Sequence, residues 1–153
     1  MSQADDPRSL SNKPQELRDD QMTRLLTQAG HGTLTLAADS TPYALPMSFG
    51  YDRESSIYFQ FGFSEGSRKR AFLDRTTGAT LAVTKVLPPT EWESVIAAGD
   101  IGRVTSDEEQ RRAFGVLHDN AWFPTFIFND PETFDLELYR LDVKSTTGYR
   151  SRE

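Results

Sequence analysis

Residues 66–73 read Gly-Ser-Arg-Lys-Arg-Ala-Phe-Leu and place three consecutive cations in a chain whose formal net charge is −6. Ser67 offers a hydroxyl, Arg68 a planar fork of N–H donors and Lys69 a mobile ammonium group. If a helix begins here, its first backbone amides and the positive end of its dipole add to these donors. A phosphate is the ligand that uses all of them. The other interpretation is a solvated helix face, because charged runs usually lie at the surface.

Other side chains that could do chemistry are few. Histidine, the usual general base near neutral pH, occurs only as His31 and His118. Neither has a neighbour at the spacing of a metal site or of a nucleophile–base pair, so we expect both to be structural or exposed. Runs of carboxylates such as Asp107-Glu108-Glu109 lie at predicted helix starts, where they interact favourably with the helix dipole. We therefore predict no catalytic side chain and no metal site.

Aromatic residues cluster late in the chain, around Pro124 and Pro131: Trp122, Phe123, Phe126, Phe128 and Phe134. Such a segment favours core or interface packing, and it could also stack on a flat ligand. Trp92 begins a predicted strand directly after Pro88-Pro89. It could contact either a flat cofactor or a subunit interface.

The composition argues against several classes of function. Acidic residues outnumber Lys and Arg by 23 to 17, whereas nucleic-acid binding needs a broad basic face. The absence of cysteine excludes disulfides, a thiolate nucleophile and a cysteine-ligated metal. Because the first residues lack the apolar core of a signal peptide and no apolar run has the length of a membrane span, we expect a soluble, cytoplasmic protein.

The elements that must position these residues follow from hydrophobic periodicity. Strands are predicted at residues 33–36, 43–51, 56–61, 79–86, 92–104 (as one bent strand or two) and 135–149. Several strands joined by short turns, with few helices, predict an antiparallel barrel in one domain. At 153 residues and 37% apolar content, the chain can enclose one sizeable core.

Three helices are predicted between or before these strands. The first begins at Pro14, ends at Gly30 and carries an apolar stripe of Leu17, Met22, Leu25, Leu26 and Ala29. A short helix after Gly66 is expected to direct Ala71, Phe72 and Leu73 into the core. The third is capped by Ser106 and is expected to present Ala113, Phe114 and Leu117 on one side.

Four segments in this order resemble the pyridoxamine 5′-phosphate oxidase-like superfamily: PYALPMSFGYD (42–52), IYFQF (57–61), GSRKRAFL (66–73) and EWESVIAAG (91–99). The likeness covers about residues 20–105 and is nearest to the nitroimidazole-resistance-type branch, notably forms from salt-loving archaea. NAWFP at 120–124 is also similar to those forms. The resemblance implies a mainly β protein with a few helices, a flavin-binding split β-barrel of about six antiparallel strands. Residues 1–13 would form a flexible lead-in and residues 14–153 a single FMN-binding domain.

The resemblance also implies a cofactor site. In the oxidases a Ser-Arg-Lys triplet after the third strand binds the FMN phosphate, and the matching residues here are Ser67, Arg68 and Lys69. Arg70 has no counterpart, and we expect it to be solvated. In the family, the strand before the Gly50-Tyr51-Asp52 motif lies along the flavin, mainly through backbone atoms. The further contacts that the resemblance implies or allows are Leu45, Pro46, Met47, Ser48, Phe59, Gln60, Trp92 and Ser94.

Two departures from the oxidases bear on function. Ala44 and Phe49 stand where the oxidase strand carries an arginine and a lysine that help to hold FMN. The C-terminal third lacks the tryptophan–glycine and arginine–histidine signatures that hold pyridoxal phosphate, and residues 135–153 contain no histidine. Oxidation of vitamin B6 is therefore not expected, whereas the Ser-Arg-Lys triplet still supports FMN.

Members of the superfamily are generally dimers with a flavin at the subunit interface, so the resemblance implies a homodimer whose pockets the partner chain completes. Trp92 and residues 120–128 are candidate contributors. The predicted function is transfer of hydride or electrons by an FMN-dependent oxidoreductase, from a reduced nicotinamide to a small acceptor such as a nitroaromatic, a quinone or another flavin.

Two alternatives stay open. One is a deazaflavin-dependent reductase on the same fold, which would need basic residues near Lys85 and Arg103 for the acidic tail of that cofactor. The other is a non-catalytic protein that binds a flavin or haem. A haem would need His31 or His118 as its axial ligand.

Overall fold

A computed structural model describes residues 13–88, 90–120 and 135–151, and this part of the chain contains eight strands and three helices. The strands are β1 (Gln15–Glu16), β2 (His31–Ala38), β3 (Thr41–Ser48), β4 (Gly50–Tyr51), β5 (Ser56–Phe63), β6 (Gly78–Leu87), β7 (Glu91–Arg103) and β8 (Asp135–Arg150). The helices are α1 (Asp19–Ala29), α2 (Arg68–Arg75) and α3 (Asp107–Asn120).

The strands form one antiparallel sheet in the order β3-β2-β6-β7-β8-β5-β4, and β1 pairs with β8. The two ends of this order, β3 and β4, are consecutive in the chain with only Phe49 between them, so the sheet must curl. Within the described residues, β3 pairs only with β2 and β4 only with β5, which leaves the barrel open along one seam. The predicted antiparallel split barrel is therefore confirmed. Six of the strands have eight residues or more.

The core follows from alternation of side chains along the strands. Inward residues such as Leu34, Phe61 and Leu81 are fully buried, while their neighbours in sequence face outward. On β5 both faces are buried, because α3 covers the outer one. There Tyr58 packs with Val104, Ala113 and Leu138 in a second, smaller cluster.

The first helix begins later than predicted. Residues 15–16 pair with β8 as a short strand, since Gln15 lies opposite Arg150, and so α1 starts at Asp19 instead of Pro14. The backbone N–H of Arg18 donates to the Gln21 side chain at 2.8 Å. The predicted end at Gly30 is confirmed, with φ +73° in the left-handed region that glycine tolerates best.

The prediction for the third helix is correct at its start and wrong for one side chain. The Glu109 N–H donates to the Ser106 hydroxyl at 3.1 Å, as a capping serine should receive it. Ala113 is fully buried, but Phe114 is 51% exposed, because the helix is turned to place Val116 and Leu117 against the sheet instead. No helix within the described residues is long and apolar enough to cross a membrane.

Residues 91–103 form one strand with a β-bulge between Ala98 and Gly99, so the single-strand alternative is the correct one. A Cβ atom on Gly99 would overlap the carbonyl oxygen of Asp142 on β8, whereas one on Gly102 would meet no atom within 4 Å. The bulge therefore depends on the close approach of two backbones at Gly99.

Gly99→Ala is expected to lower the free energy of unfolding by about 2–3 kcal/mol, because the β7 and β8 backbones must separate. Gly102→Ala, on the same strand, is the matched control and should leave stability unchanged or slightly raised. Urea unfolding followed by circular dichroism measures both. Equal stability of the two variants would contradict the assigned contact.

Candidate functional site

The cationic run lies at the start of α2, as the sequence predicts. Gly66 has φ +73° and turns the chain after β5. Ser67 then adopts an extended conformation and caps the helix, because its hydroxyl oxygen accepts the Arg70 N–H at 3.4 Å. A serine hydroxyl that accepts one hydrogen bond still carries its own proton as a donor. The turn thus presents a hydroxyl and the first amides of a helix together.

Arg68 rests on two aromatic rings. Its guanidinium carbon is 5.2 Å from the centre of the Tyr43 ring and 5.8 Å from that of Phe72, and the two rings are 4.9 Å apart. Such cation–π contacts hold the plane of the guanidinium while its N–H groups remain available at the edge. Arg68 itself is exposed and forms no ion pair with any described residue.

The other residues of α2 divide between core and solvent. Leu73 is buried and Phe72 half-buried, as expected, but Ala71 is exposed, because α2 packs on the sheet by one narrow face only. Lys69 is half-buried and has no ion-pair partner in the described part of the chain. Arg68 and Lys69 are therefore the two cations of the run whose charge is not offset by a carboxylate of any described residue.

The expectation that Arg70 is solvated is wrong. Its Nη1 atom lies 3.2 Å from Oε1 of Glu137, and its guanidinium carbon lies 4.3 Å from the centre of the Phe63 ring. The partner carboxylate belongs to β8, 67 positions away in the chain, so no local pattern indicates it.

The strand predicted to lie along the flavin is β3, an edge strand of the described sheet. Its Leu45 side chain is buried and Met47 packs against the core, so only their backbone could reach a ligand. Pro46 is exposed on the opposite face. The Ser48 hydroxyl oxygen is buried and has no hydrogen-bond partner among the described residues.

The prolines of β3 indicate where its backbone groups point. Pro42 and Pro46 are separated by an even number of residues, so their backbone nitrogens face the same side of β3. Because proline has no N–H to donate, it occupies positions in an edge strand where the nitrogen faces away from the neighbouring strand. Ala44 and Ser48 share this alternation, so their amides face the open seam of the barrel. An edge of unpaired backbone donors and acceptors fits the heteroatoms of a flavin ring.

Phe59 and Gln60 lie on opposite faces of β5. Phe59 is fully buried, with its ring 6.5 Å from that of Phe49 and 6.3 Å from that of Phe61, so its side chain belongs to the core. Gln60 is half-buried and lies opposite Leu138. A cofactor contact of either residue stays a prediction.

The strand register measures how far Ser94 and Trp92 lie from Arg68. Tyr43, which lies beneath Arg68, pairs with Leu36 on β2. The adjacent residue of β2, Thr35, pairs with Thr80, so Thr80 marks the level of Arg68 on β6. Ser94 pairs with Thr84, which is about 13 Å along β6 from Thr80 at 3.3 Å per residue. Trp92 pairs with Val86, about 20 Å from Thr80. Ser94 shares the outer face of the sheet with Pro46, whereas Trp92 lies at the far end from the cations. There it borders a groove of about 210 Å³ with Lys85, Glu91, Glu93 and Arg150.

The basic residues that a deazaflavin tail would need do not lie together in this chain. Lys85 is opposite Glu93, and Arg103 lies ten residues further along β7, at a distance of about 33 Å. Arg103 also pairs with Glu137 at 3.1 Å. His31 and His118 are both exposed, and the described residues contain no cluster of His, Asp or Glu that could hold a metal ion.

An open antiparallel barrel with a Ser-Arg-Lys turn after β5 defines a class of small split-barrel proteins. The family model described as pyridoxamine 5′-phosphate oxidase matches residues 18–150 of this chain. The chain belongs to that family. No curated protein matches it.

Solved structures share the fold at low sequence identity. A FAD-binding protein from Mesorhizobium loti is 18% identical with a TM-score of 0.73, and the match covers 93% of this chain and 99% of that one. A candidate 5-nitroimidazole antibiotic resistance protein from Bacteroides thetaiotaomicron is 21% identical with a TM-score of 0.69, and 92% of each chain is covered. A heme binding protein from Mycobacterium smegmatis is 16% identical with a TM-score of 0.66, over 85% of this chain and 53% of that one. The resemblance to archaeal forms finds no support in these comparisons.

Two predicted regions lie outside the described residues. They are the lead-in, of which only residue 13 is described, and the aromatic segment with Trp122, Phe123, Phe126, Phe128 and Phe134. The site residue that sequence reasoning missed is Tyr43, which supports Arg68. Its position on β3, two residues before the first residue predicted to contact the flavin, is the local signal that could have indicated it.

Tyr43→Ala is expected to weaken FMN binding about threefold to tenfold, because Arg68 loses a ring worth about 0.5–1.5 kcal/mol of cation–π interaction. Tyr43→Phe keeps the ring and is the matched control, with affinity expected to be close to that of the wild type. Fluorescence titration with FMN measures both. Equal losses in the two variants would show that the phenol hydroxyl matters and the ring does not.

Proposed function

We propose that the protein is an FMN-binding flavoprotein, with the phosphate of FMN bound by Ser67, Arg68 and Lys69. The observation that carries this proposal is the turn before α2. There a capping serine and two cations, which have no carboxylate partner among the described residues, meet the first amides of a helix. A phosphate dianion satisfies that set of donors and offsets both charges. The family and its FAD-binding structural relative support a flavin in the broader sense.

The chemistry of the bound group would be hydride or electron transfer, which flavins supply without an acid or base from the protein. The residues of this chain would bind and orient it. Ser67 would donate its hydroxyl proton to a phosphate oxygen, and Arg68 and Lys69 would donate from two sides. The open edge of β3, at Ala44 and Ser48, would offer backbone groups to the ring system.

The electron donor that we propose is a reduced nicotinamide, and the acceptor a small molecule such as a nitroaromatic or a quinone. The Bacteroides relative, which concerns 5-nitroimidazole resistance, supports a nitroaromatic acceptor by analogy of fold alone. Vitamin B6 oxidation fits poorly. Arg140 contacts Ser56 at 2.6 Å and Asp142 at 3.2 Å, and Lys144 contacts Asp142 at 2.8 Å, so these C-terminal cations already have partners.

We also propose that two copies of the chain associate through the outer face of β6, β7 and β8. Asp100, Arg140 and Asp142 lie on the outer side beyond the bulge at Gly99 and are not part of this interface. Before the bulge, the outward residues of the face are Thr80, Ala82, Thr84, Val86, Trp92, Ser94, Ile96, Ala98, Ser145, Thr147 and Tyr149. None of them is charged, although charged residues make up 26% of the chain. Val86, Ile96 and Tyr149 expose 67%, 48% and 43% of their surface. A broad uncharged face with exposed apolar side chains is typical of an interface between subunits.

A dimer would also explain the position of Trp92. In one protomer it lies about 20 Å beyond the cations along β6, at the far end of the proposed interface. In a symmetric pair, the same residue of the second copy approaches the first from the opposite direction. Trp92 would then contribute to the pocket of the partner subunit.

The freshly purified protein is expected to show the two-banded visible spectrum of an oxidised flavin and to release FMN on denaturation. Arg68→Ala combined with Lys69→Ala should weaken FMN binding at least about a hundredfold, because two hydrogen bonds to a charged group are lost. Arg24→Ala with Arg111→Ala removes the same charge from exposed positions on α1 and α3 and should bind FMN like the wild type.

Three results would contradict the proposal of FMN. A colourless protein that takes up no added FMN would exclude a flavoprotein. A single near-ultraviolet band would indicate a deazaflavin, and a sharp Soret band a haem. Unchanged titration of the Arg68 and Lys69 double variant would refute the assignment of the phosphate site alone.

Ile96→Glu is expected to convert the dimer into a monomer, because the substitution places a charge at the centre of the uncharged face. Gln28→Glu adds the same charge at an exposed position of α1 and should remain dimeric. Sedimentation equilibrium gives the mass of each. A monomeric wild type, or a dimeric Ile96→Glu variant, would refute this interface.

A further inference from the structure

Glu137 is a carboxylate in an apolar place. It lies on β8 opposite Phe61, and only 5% of its side chain is exposed. A buried carboxylate is strongly unfavourable unless charges and hydrogen bonds compensate it. Because Glu137 is buried among phenylalanine rings, it needs cations or hydrogen-bond donors beside it.

Three side chains supply them. Oε1 lies 3.2 Å from Nη1 of Arg70 and 3.1 Å from Nη2 of Arg103. The hydroxyl of Tyr139 donates to Oε2 at 3.4 Å. Burial, and then the charge of Glu137, raise the pKa of Tyr139, so this phenol keeps its proton at neutral pH.

Arg70 connects this carboxylate to the proposed phosphate site in two steps. Its guanidinium is held between Glu137 and the Phe63 ring, 4.3 Å away, which leaves it little freedom. Its backbone N–H donates to the Ser67 hydroxyl. The contacts thus run without a gap from Glu137 through Arg70 to Ser67.

Arg68 is held on the other side of the same helix start, over Tyr43 of β3. Since β3 and β8 lie in different parts of the sheet order, the first turn of α2 is attached to two sides of the barrel. Lys69 lies between the two attached residues. The orientation of the whole donor set therefore depends on both attachments.

We propose that Glu137 is a positioning residue for the FMN phosphate site, acting through Arg70 on the start of α2. This inference rests on the proposed binding of FMN. In this arrangement Glu137 would act without touching the cofactor, because the charge of Arg70 is paired with Glu137 and not with the phosphate. Of the three consecutive cations, Arg68 and Lys69 would therefore bind the phosphate, whereas Arg70 would hold the start of α2 in place.

The test compares FMN with riboflavin, which has the same ring but no phosphate. Glu137→Gln is expected to reduce the preference of the protein for FMN over riboflavin by about threefold to thirtyfold, with riboflavin affinity unchanged. Arg103→Met removes the other arginine that contacts Oε1 of Glu137, and this arginine belongs to β7 and not to α2. It is the matched control and should keep the wild-type preference.

Hydrogen exchange of the flavin-free protein gives a second readout. Glu137→Gln should speed exchange of the amides of residues 68–75 more than that of the central strands. The double variant Arg70→Met with Glu137→Gln removes both charges, so no unpaired charge stays buried if the single variant folds poorly. It should show the same loss of preference as Glu137→Gln, because the two residues act as one unit.

Two results would overturn this inference while FMN binding stands. Equal losses of FMN affinity and riboflavin affinity would mean that Glu137 only stabilises the fold. An unchanged preference for FMN over riboflavin in both Glu137 variants would mean that α2 is oriented without Glu137. A wild type that binds riboflavin as tightly as FMN would refute the phosphate site itself and this inference with it.

Discussion

Four phenylalanine rings pack in a row inside the barrel, and the positions of both its seam and its cationic helix depend on them. Phe59, Phe61 and Phe63 alternate along β5 and so face the same side of the sheet. Phe49 contacts Phe59 at the corner where the sheet turns from β3 to β4, and Phe63 lies beneath Arg70 at the start of α2. Because the ring centres are 5.7–6.5 Å apart, a shift at one end of the row displaces the other.

The row also sets the electrostatics of the site. Tyr139 meets Phe61 edge-on at 5.2 Å, which places its hydroxyl beside Glu137 in a region with little water. In such surroundings a carboxylate interacts strongly with its partners, so Arg70 is held firmly although it belongs to an exposed helix. On the same turn Arg68 is exposed and Lys69 is half-buried, and no carboxylate of the described residues offsets either charge. A chain of net charge −6 thereby presents a local cationic site.

The face opposite this core has a different character. Before the bulge at Gly99, the outward residues of β6, β7 and β8 carry polar or apolar side chains without charge. The open edge of β3 continues this surface at Pro46. A flat, uncharged ring system and a second copy of the chain both suit such a surface. For the proposed flavin, the cationic turn and this sheet face would offer the two halves of one pocket, with charge at one end and apolar contact at the other.

What the sequence determined by itself are the features with local causes. Alternation predicted the long strands, Gly30 and Ser106 predicted a helix end and a helix start, and the spacing of Ser67, Arg68 and Lys69 after β5 predicted a cationic turn, all as observed. Pairing between distant segments was decided only by the tertiary structure. Residues 15–16 became a strand because β8 is beside them, Phe114 turned outward because the sheet fills the other side of α3, and Arg70 became an anchor because Glu137 is buried within reach. A side chain is solvated or paired according to what the fold brings to it, and that neighbour is absent from the local sequence.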